Sequence, residues 1–403
     1  MTKILEGIRL VEVADWGFVP SAAAVIGDWG ADVIKIEHPV HGDPLRGLIT
    51  SGMIPGATGI NFLMAQVARN KKSVGLDLNR EEGRQILYRL VERADIFLTN
   101  FLPSARAKLR IEYDDIRRVN PRIIYAKGHG QGQKGPDADK GGYDGCSFWS
   151  RGAVGNRLTP AGEPPITQRP AFGDFISGMF VAGGIAGALY HRERTGKGSE
   201  VDVSLLGAAC WVMSPDIVAA NTYGFELPPA MRGMVPNPLV NNYQTKDGKY
   251  VTLMMLQFER FWPIFCKTIG KEEWLSDDRY ATAEKRKQAT PWLVDEIAAV
   301  MKTRDRAEWE AVLRASDCIW APVNSPLEVG DDPQVVANGY LIDYDYGQGN
   351  RTRVCASPVQ FDNERVALRS RAPEAGEHTE EVLLEAGYTW EDIGRWKEAG
   401  VIS

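Results

Sequence analysis

Short apolar runs alternate with longer amphipathic runs over the first 130 residues of the chain. The short runs are rich in β-branched residues and predict strands at residues 8–13, 32–37, 73–77, 96–99 and 123–127. The runs between them have helical spacing and predict helices at residues 20–29, 80–94 and 113–119. Such alternation is typical of an α/β fold with a parallel sheet and helices on both faces. We therefore expect ligands to bind at the carboxyl ends of the strands.

The pattern changes twice further along the chain. Residues 128–172 are rich in Gly and Pro and predict loops around a site, before a helix at 175–194, a strand at 200–204 and a helix through residue 210. A hairpin at 242–256, helices at 258–269, 292–302 and 306–315, and a linker at 321–323 then predict a smaller α+β domain. The predicted organisation is a large domain at residues 1–225, a small domain at 226–325 and a segment at 326–403 that returns to the large domain.

Composition narrows the class of protein. Charged residues make up 25% of the 403 residues, and the net charge of −6 gives no general attraction to nucleic acid or to an anionic membrane. The five cysteines include no Cys-x-x-Cys pair and no secretion signal is recognisable, so we expect a cytoplasmic location. Residues 171–190 have the length of a membrane span, but Asp174 near their start favours a buried helix of a soluble protein. We expect no nucleic-acid partner and no membrane partner.

Two kinds of cofactor site are disfavoured by the residues themselves. The turn after the first strand contains only Gly17, and the bulky Trp16 and Phe18 would block the diphosphate of a nicotinamide cofactor. No Gly-x-x-x-x-Gly-Lys-Ser/Thr loop indicates use of ATP. His38 and His41 have no further His or Cys nearby with metal-ligand spacing, so no metal site is predicted.

Asp174 is the leading candidate for chemistry. It precedes a long apolar helix, so it could simply cap that helix. The same position lets it act as a nucleophile, because the positive end of a helix favours an ionised carboxylate and Gly173 leaves room for an acyl group. Several basic residues lie near predicted strand ends or turns and suggest a polyphosphate ligand, although each could be a solvated surface charge: Arg46, Lys71, Lys72, Arg106 and Lys108.

The order of motifs along the whole chain resembles the family III CoA-transferases, also called the CaiB/BaiF family, which includes formyl-CoA transferase, carnitine CoA-transferase and 2-methylacyl-CoA racemase. The motifs that carry the resemblance are residues 5–13, 30–37, 42–46, 70–73, 76–78, 94–96, 100–101, 120–122, 128–131, 135–136, 173–174, 194–198 and 376–379. The resemblance implies a Rossmann-like large domain, an inserted small domain and an interlocked homodimer.

The same resemblance implies a reaction. Asp174 would attack an acyl-CoA thioester to give a mixed anhydride and CoA thiolate, and the thiolate would then form an aspartyl-CoA thioester. An incoming carboxylic acid would open this thioester to a second anhydride, which the thiolate converts into the new acyl-CoA. Neither ATP nor a metal is needed. The substrates are therefore acyl-CoA and a carboxylic acid, with coenzyme A as the carried group.

The resemblance also places CoA along one set of residues: Gly17, Phe18, His38, Leu76, Asn79, Asn100, Phe101, Leu102 and Lys108. His38 and Asn79 stand where other members often have Arg or Lys, so phosphate contacts are expected to shift to Lys71, Lys72, Arg46 or Arg106. Gly17 lacks the side chain with which some members stabilise the intermediate, which leaves that role to backbone N–H groups.

Tyr143 and Asp144 are also expected in the catalytic site, and they separate subfamilies. The 2-methylacyl-CoA racemases have histidine at the position of Tyr143, and a tyrosine of ordinary pKa near 10 is a poor replacement for it as a base. Racemisation and non-catalytic acyl-CoA binding stay as alternatives. A set of apolar residues suggests an acyl pocket for a larger aliphatic, aromatic or steroid-like acid, although such residues are more often core: Trp16, Phe148, Trp149, Trp211 and Met213.

Overall fold

The computed structural model describes residues 3–54, 59–228, 235–346 and 349–403. The chain divides into two compact units. The larger unit comprises Met1–Thr159, Glu163–Glu226 and Pro333–Ser403, and the smaller unit comprises Pro160–Gly162 and Leu227–Asp332.

Strands and helices are numbered in chain order. The strands are β1 (Arg9–Val13), β2 (Asp32–Glu37), β3 (Lys71–Gly75), β4 (Ile96–Thr99), β5 (Ile124–His129), β6 (Glu200–Ser204), β7 (Val240–Gln244), β8 (Tyr250–Met254), β9 (Trp320–Pro322), β10 (Leu341–Asp345) and β11 (Arg351–Cys355). The helices are α1 (Phe18–Asp28), α2 (Phe62–Ala68), α3 (Glu81–Val91), α4 (Pro103–Leu109), α5 (Tyr113–Val119), α6 (Val154–Leu158), α7 (Phe172–Thr195), α8 (Leu205–Val212), α9 (Ser214–Tyr223), α10 (Phe258–Thr268), α11 (Ala283–Met301), α12 (Arg306–Arg314), α13 (Pro326–Asp331), α14 (Pro333–Asn338), α15 (Thr379–Glu385) and α16 (Trp390–Glu398). Short 3-10 turns lie at Pro44–Gly47, Glu272–Leu275 and Asp278–Tyr280, and a π-helical turn at Gly145–Ser150.

The larger unit is built on a six-stranded parallel sheet in the order β3-β2-β1-β4-β5-β6. This is the strand order of doubly wound folds, whose ligands bind where the order reverses, between β1 and β4. Successive residues of each strand point to opposite faces. Leu10 of β1 thus joins the core beneath α1 and α7, while Val11 joins the core beneath α3 and α5. The predicted α/β class and parallel sheet are confirmed.

The end of the chain completes the second of these cores. Val382, Leu383 and Ile393 of α15 and α16 are buried beside β3 and α3. The turn before α15 is fixed to β3, since Gly75 N donates to Thr379 Oγ1 at 2.9 Å. The expected Gly-Glu-His-Thr motif at residues 376–379 therefore has a structural role at the outer strand of the sheet.

Helix α7 is 24 residues long and, by length and composition alone, could cross a membrane. Val181 and Ile185 are fully buried in the core shared with α1. Gly178 sits where an added β-carbon would lie 2.0 Å from Ser21 Oγ, so the two helices cross at close range. This packing is typical of a core helix.

The smaller unit pairs a three-stranded antiparallel sheet, β7-β8-β9, with helices α10 to α12. The predicted hairpin is present, and its turn lies between Gln244 and Tyr250. Two predictions were wrong. Residues 320–322 form the third strand of this sheet rather than part of a linker. Helix α11 begins at Ala283, nine residues before the predicted start, because the helix continues through Pro291. Further elements among the described residues escaped prediction: α2, α4, α6, α9, α13, α14 and the β10–β11 hairpin.

Candidate functional site

A cavity of about 470 Å³ opens at the carboxyl ends of the central strands of the larger unit. Residues following β1, β3, β4, β5 and β6 surround it, together with one residue of α7. Its lining consists of Asp15, Trp16, Phe18, Asn79, Asn100, Phe101, Leu102, Ala105, Lys108, Leu109, Gly128, His129, Gly130, Gly141, Gly142, Tyr143, Asp174 and Leu205. The position agrees with the reversal of strand order between β1 and β4.

The turn from β1 to α1 forms one wall of the cavity, and other segments hold its backbone. The Asn100 side chain accepts from Asp15 N at 3.0 Å and donates to Asp15 O at 2.7 Å. Trp16 has a left-handed backbone with φ of 69°, and its N–H donates to Asp43 Oδ1 at 3.1 Å. A left-handed tryptophan is unfavourable by itself and persists only where its surroundings fix it.

Gly17 follows directly and lies against Asp174. A β-carbon added at Gly17 would be 2.8 Å from Asp174 Oδ2, so the absence of a side chain lets the carboxylate approach the start of α1. The N–H groups of the first turn of α1 have no partner within the helix. The expectation that backbone groups replace a side chain at this position stays a prediction.

Asp144 caps helix α7, whereas Asp174 does not. Asp144 Oδ2 accepts from Gly173 N at 2.9 Å and from Asp174 N at 3.4 Å. Asp174 lies inside the first turn, and within the described residues no hydrogen bond to its carboxylate is found. The capping interpretation of Asp174 was therefore wrong. Asp144 is buried, lies outside the cavity lining, and is better described as a positioning residue than as a catalytic one.

Burial raises the pKa of Asp174 to about 7, and the nearby Asp144 carboxylate raises it further in the same direction. The sequence-based expectation was that the helix N-terminus keeps this group ionised at neutral pH. Desolvation and the negative neighbour outweigh the helix in the structure. Asp174 therefore titrates near neutrality, which is characteristic of residues that take part in chemistry.

Tyr143 and Trp16 form an aromatic wall beside Asp174. Their rings meet edge to face with centroids 5.7 Å apart, and 62% of Tyr143 is exposed. Of the suggested acyl-pocket residues, only Trp16 lines the cavity. Phe148, Trp149 and Met213 are buried in the core, and Trp211 is exposed at a separate shallow depression.

Most of the expected CoA-contacting residues meet at this cavity. Phe18, Asn79, Asn100, Phe101, Leu102 and Lys108 all line it. Lys108 is exposed and contributes the one lysine or arginine among the described lining residues. The cavity thus combines an apolar passage with a cation and the Asn79 amide at its edge, which suits a phosphorylated ligand with an apolar arm.

The basic residues expected to compensate for His38 and Asn79 are elsewhere. The Lys71 ammonium is fully buried, 2.5 Å from Glu12 Oε2 and 2.9 Å from Pro20 O. Arg106 is buried and donates to Phe101 O at 2.7 Å, so it supports the backbone of this cavity-lining loop. Neither side chain is free to bind a phosphate. Arg46 pairs with Glu37, and Lys72 pairs with Glu381, and neither cation lines the cavity.

Besides Gly17, whose neighbours Trp16 and Phe18 line the cavity, two other expected contacts also lie outside the cavity lining. His38 stacks on His41, with ring centroids 4.7 Å apart, and its Nδ1 accepts from Val40 N at 3.2 Å. Leu76 is buried at the end of β3 and pairs with Ile402. His38 is thus held by contacts with its neighbours in the turn, and Leu76 is held by its pairing with Ile402.

Sequence reasoning missed Asp15 and His129 as members of the site. Both end or follow a central strand, which is the signal that could have identified them. The His129 ring nitrogen Nε2 lies 3.1 Å from Asp202 Oδ2. Within the described ranges no group of three or more His, Cys, Asp or Glu residues could hold a metal ion.

Comparisons with known proteins found similar sequences and similar structures along nearly the whole chain. The sequence model of CoA-transferase family III matches residues 5–379. The (R)-2-hydroxy-4-methylpentanoate CoA-transferase of Clostridioides difficile is 35% identical over 400 residues, covering 99% of each chain. The cinnamoyl-CoA:phenyllactate CoA-transferase of Clostridium sporogenes is 34% identical and covers 97% of this chain and 95% of its own length. A CaiB/BaiF family protein from Brucella suis has a solved structure that superposes with a TM-score of 0.82 at 26% identity, covering 96% of this chain and all of its own.

Proposed function

The chain belongs to CoA-transferase family III and is a CoA-transferase, and we propose that it transfers CoA between carboxylic acids through covalent intermediates on Asp174. The observation that supports this most is the Asp174 carboxylate itself. It faces a cavity at the strand ends, beside a glycine that leaves room for it and without a hydrogen-bond partner among the described residues.

The proposed reaction has four exchanges at one carboxylate. Asp174 attacks the thioester carbonyl carbon, the C–S bond breaks, and CoA leaves as a thiolate with an acyl-aspartyl anhydride behind it. The thiolate attacks the aspartyl carbonyl and releases the donor acid as a carboxylate. The acceptor carboxylate then attacks the aspartyl-CoA thioester and expels thiolate again. Finally the thiolate takes the acceptor acyl group and frees Asp174, so the energy of the thioester is retained throughout.

The start of α1 supports the tetrahedral steps of this reaction. Negative charge develops on a carbonyl oxygen each time a nucleophile adds, and backbone N–H groups stabilise such charge. Gly17 and Phe18 present the first N–H groups of α1 next to Asp174, since α1 cannot use them internally. Phe101, Leu102 and Lys108 would hold the pantetheine arm and a phosphate group of CoA.

The aromatic wall bears on the substrate. Trp16 and Tyr143 present apolar ring surface where the acyl group must lie to reach Asp174. Two relatives are named for acids with a branched aliphatic or aromatic side chain. We therefore favour an apolar branched or aromatic acid over a small one such as formate or oxalate. Racemisation is not favoured, since Tyr143 replaces histidine and these relatives are CoA-transferases.

A trapping experiment tests the proposal. The protein is incubated with a panel of branched aliphatic, aromatic and short-chain acyl-CoAs in the presence of hydroxylamine, and modified peptides are located by mass spectrometry. We expect a hydroxamate at Asp174 with an apolar acyl-CoA, no such modification in Asp174→Ala, and no label transferred to Asp144. Turnover without any modification of Asp174 would contradict the covalent route.

The homodimer and the cytoplasmic location stay predictions. We propose the homodimer because large apolar side chains of α8 and α9 are exposed in the single chain, including Trp211, Val218 and Tyr223. Light scattering coupled to size-exclusion chromatography should give a mass of twice the 44.6 kDa of one chain. A mass of one chain at micromolar concentration would contradict the dimer.

A further inference from the structure

Asp15 is a second carboxyl group in the same cavity as Asp174. It follows β1 directly, and its backbone is held on both sides by the Asn100 side chain. Within the described residues, neither oxygen of its carboxyl group accepts a hydrogen bond, although the side chain is mostly enclosed. The carboxyl group is partly exposed to the cavity, so a bound substrate can reach it.

The charges behind Asp15 already neutralise one another. Three carboxylates and three cations lie on the α1 face of the sheet or in the turn that follows β2: Glu12, Glu37, Asp43, Lys35, Lys71 and Arg46. Lys35 Nζ lies 3.0 Å from Glu12 Oε1 and 2.9 Å from Asp43 Oδ2. Each cation thus pairs with at least one of these carboxylates, with Glu12 shared by Lys35 and Lys71, and no excess positive charge remains to stabilise an ionised Asp15.

Burial raises the pKa of Asp15 to about 7, and the negative charges of Asp43, Glu37 and Glu12 add to this while Lys35 opposes it. The remaining titratable groups that face the cavity are Lys108, His129, Tyr143 and Asp174. A cavity that must hold ionised Asp174 and admit a second carboxylate as substrate would repel that substrate if Asp15 were also ionised.

We propose that Asp15 is a neutral hydrogen-bond donor that binds an oxygen atom of the reacting acyl group or acid, and that its ionisation removes this contact. The inference rests on the proposed function, because it assigns Asp15 a part in the same reaction. No bond to Asp15 forms or breaks, and its proton stays on the carboxyl group throughout. Asp15 would therefore be a catalytic residue by contact with substrate, alongside the nucleophile.

The test is the ratio of transfer rates, variant over wild type, measured from pH 5 to pH 9 with the same acyl-CoA and acid. The ratio cancels the ionisation of the CoA thiol, and above pH 7 the ionisation of Asp174 changes the ratio little because that carboxyl group is then already largely ionised in wild type. Asp15→Asn keeps a neutral donor at every pH, so its ratio should rise about tenfold per pH unit above pH 7. Asp15→Leu removes the donor and should lose about 10²-fold even at pH 6.

Asp202→Asn is the matched control, since Asp202 is a carboxylate near the cavity that binds His129 instead. The ratio of Asp202→Asn to wild-type transfer rates should stay constant above pH 7. If that ratio rises as much as the ratio for Asp15→Asn, the loss of wild-type activity at high pH belongs to the His129–Asp202 pair, and the proposal is overturned. A flat ratio for Asp15→Asn would also overturn it. Hydroxylamine labelling of Asp174 in wild type is measured in parallel. Labelling with a flat Asp15→Asn ratio rejects the role of Asp15 alone, and transfer without labelling rejects the covalent route instead.

Discussion

Asp174→Asn is expected to abolish CoA transfer and at the same time to make the protein more stable above pH 7. Loss of the nucleophile should lower kcat by about 10³-fold or more, because asparagine cannot form the anhydride. The stability gain arises because the folded state holds this carboxylate beside Asp144 in a poorly solvated place. The amide has the same shape and carries no charge.

The pH dependence of that gain follows from the raised pKa. Between the ordinary pKa of 3.8 and the folded value of about 7, the folded state binds more protons than the unfolded state, so wild-type stability falls as the pH rises. The variant escapes this fall. Its advantage should be absent below about pH 4 and grow to about 1–3 kcal/mol above pH 7, less than the full shift implies since the side chain is partly exposed.

Thermal unfolding of both proteins at pH 4, 6 and 8 measures the effect. Equal melting temperatures at pH 8 would contradict the raised pKa of Asp174, because the ionised carboxylate would then not destabilise the folded state. A stabilised, inactive variant would be the pattern expected when a site is built for chemistry rather than for stability.

The sheet was predictable because its strands are buried on both faces and so read as continuous apolar runs. Residues 32–37 and 96–99 were predicted with the bounds that β2 and β4 have. The smaller elements were not. β9 has three residues and becomes a strand only by pairing with β8, which no local pattern reveals. Similarly, α4 begins at Pro103, and its seven residues give too few turns for a helical period to be seen.

The position of the site could be predicted from the sequence, but the partners of its charged residues could not. The sequence analysis placed Asp174 at the start of a long helix and Asn100 among the CoA contacts implied by the resemblance, and the cavity contains both. The role of each lysine could not be predicted, since Lys71 and Lys108 look alike in sequence. Lys71 points inward and pairs with Glu12, which lies 59 residues away in the sequence. Lys108, in contrast, is exposed on helix α4. Likewise, the capping of α7 by Asp144 depends on a contact with Gly173, which lies 29 residues away in the sequence.

Lys35→Met is expected to destabilise the larger unit by about 3–5 kcal/mol, because it breaks a buried ion pair from one side. Lys35 is 1% exposed and its ammonium also donates to Ala14 O at 2.6 Å. Burial alone would lower its pKa, but Asp43 and Glu12 hold it above its ordinary value. Without Lys35, Asp43 loses a charged partner and Glu12 keeps only Lys71. Methionine fills the volume but neutralises neither carboxylate.

Lys72→Met provides the matched control on the neighbouring strand. Lys72 also pairs with a glutamate, Glu381, but both side chains are partly exposed to water. Exposed pairs contribute about 0–1 kcal/mol, so this variant should unfold close to wild type. The measurement is the midpoint of thermal and urea unfolding at pH 7, followed by far-UV circular dichroism. If both variants lose the same small free energy of unfolding, the stability of the buried charged residues behind Asp15 does not depend on Lys35.

The same variant connects stability with the site. Lys35 is the cation that opposes the rise in the pKa of Asp15, so its removal should push that pKa further upward. Transfer by the fraction of Lys35→Met that stays folded at low temperature should then persist to higher pH than in wild type. If the transfer rate of Lys35→Met instead begins to fall at a lower pH than that of wild type, the buried charged residues behind Asp15 do not determine its ionisation. The buried ions would then serve the fold alone, and the cavity would take its electrostatics from Asp174 and Lys108.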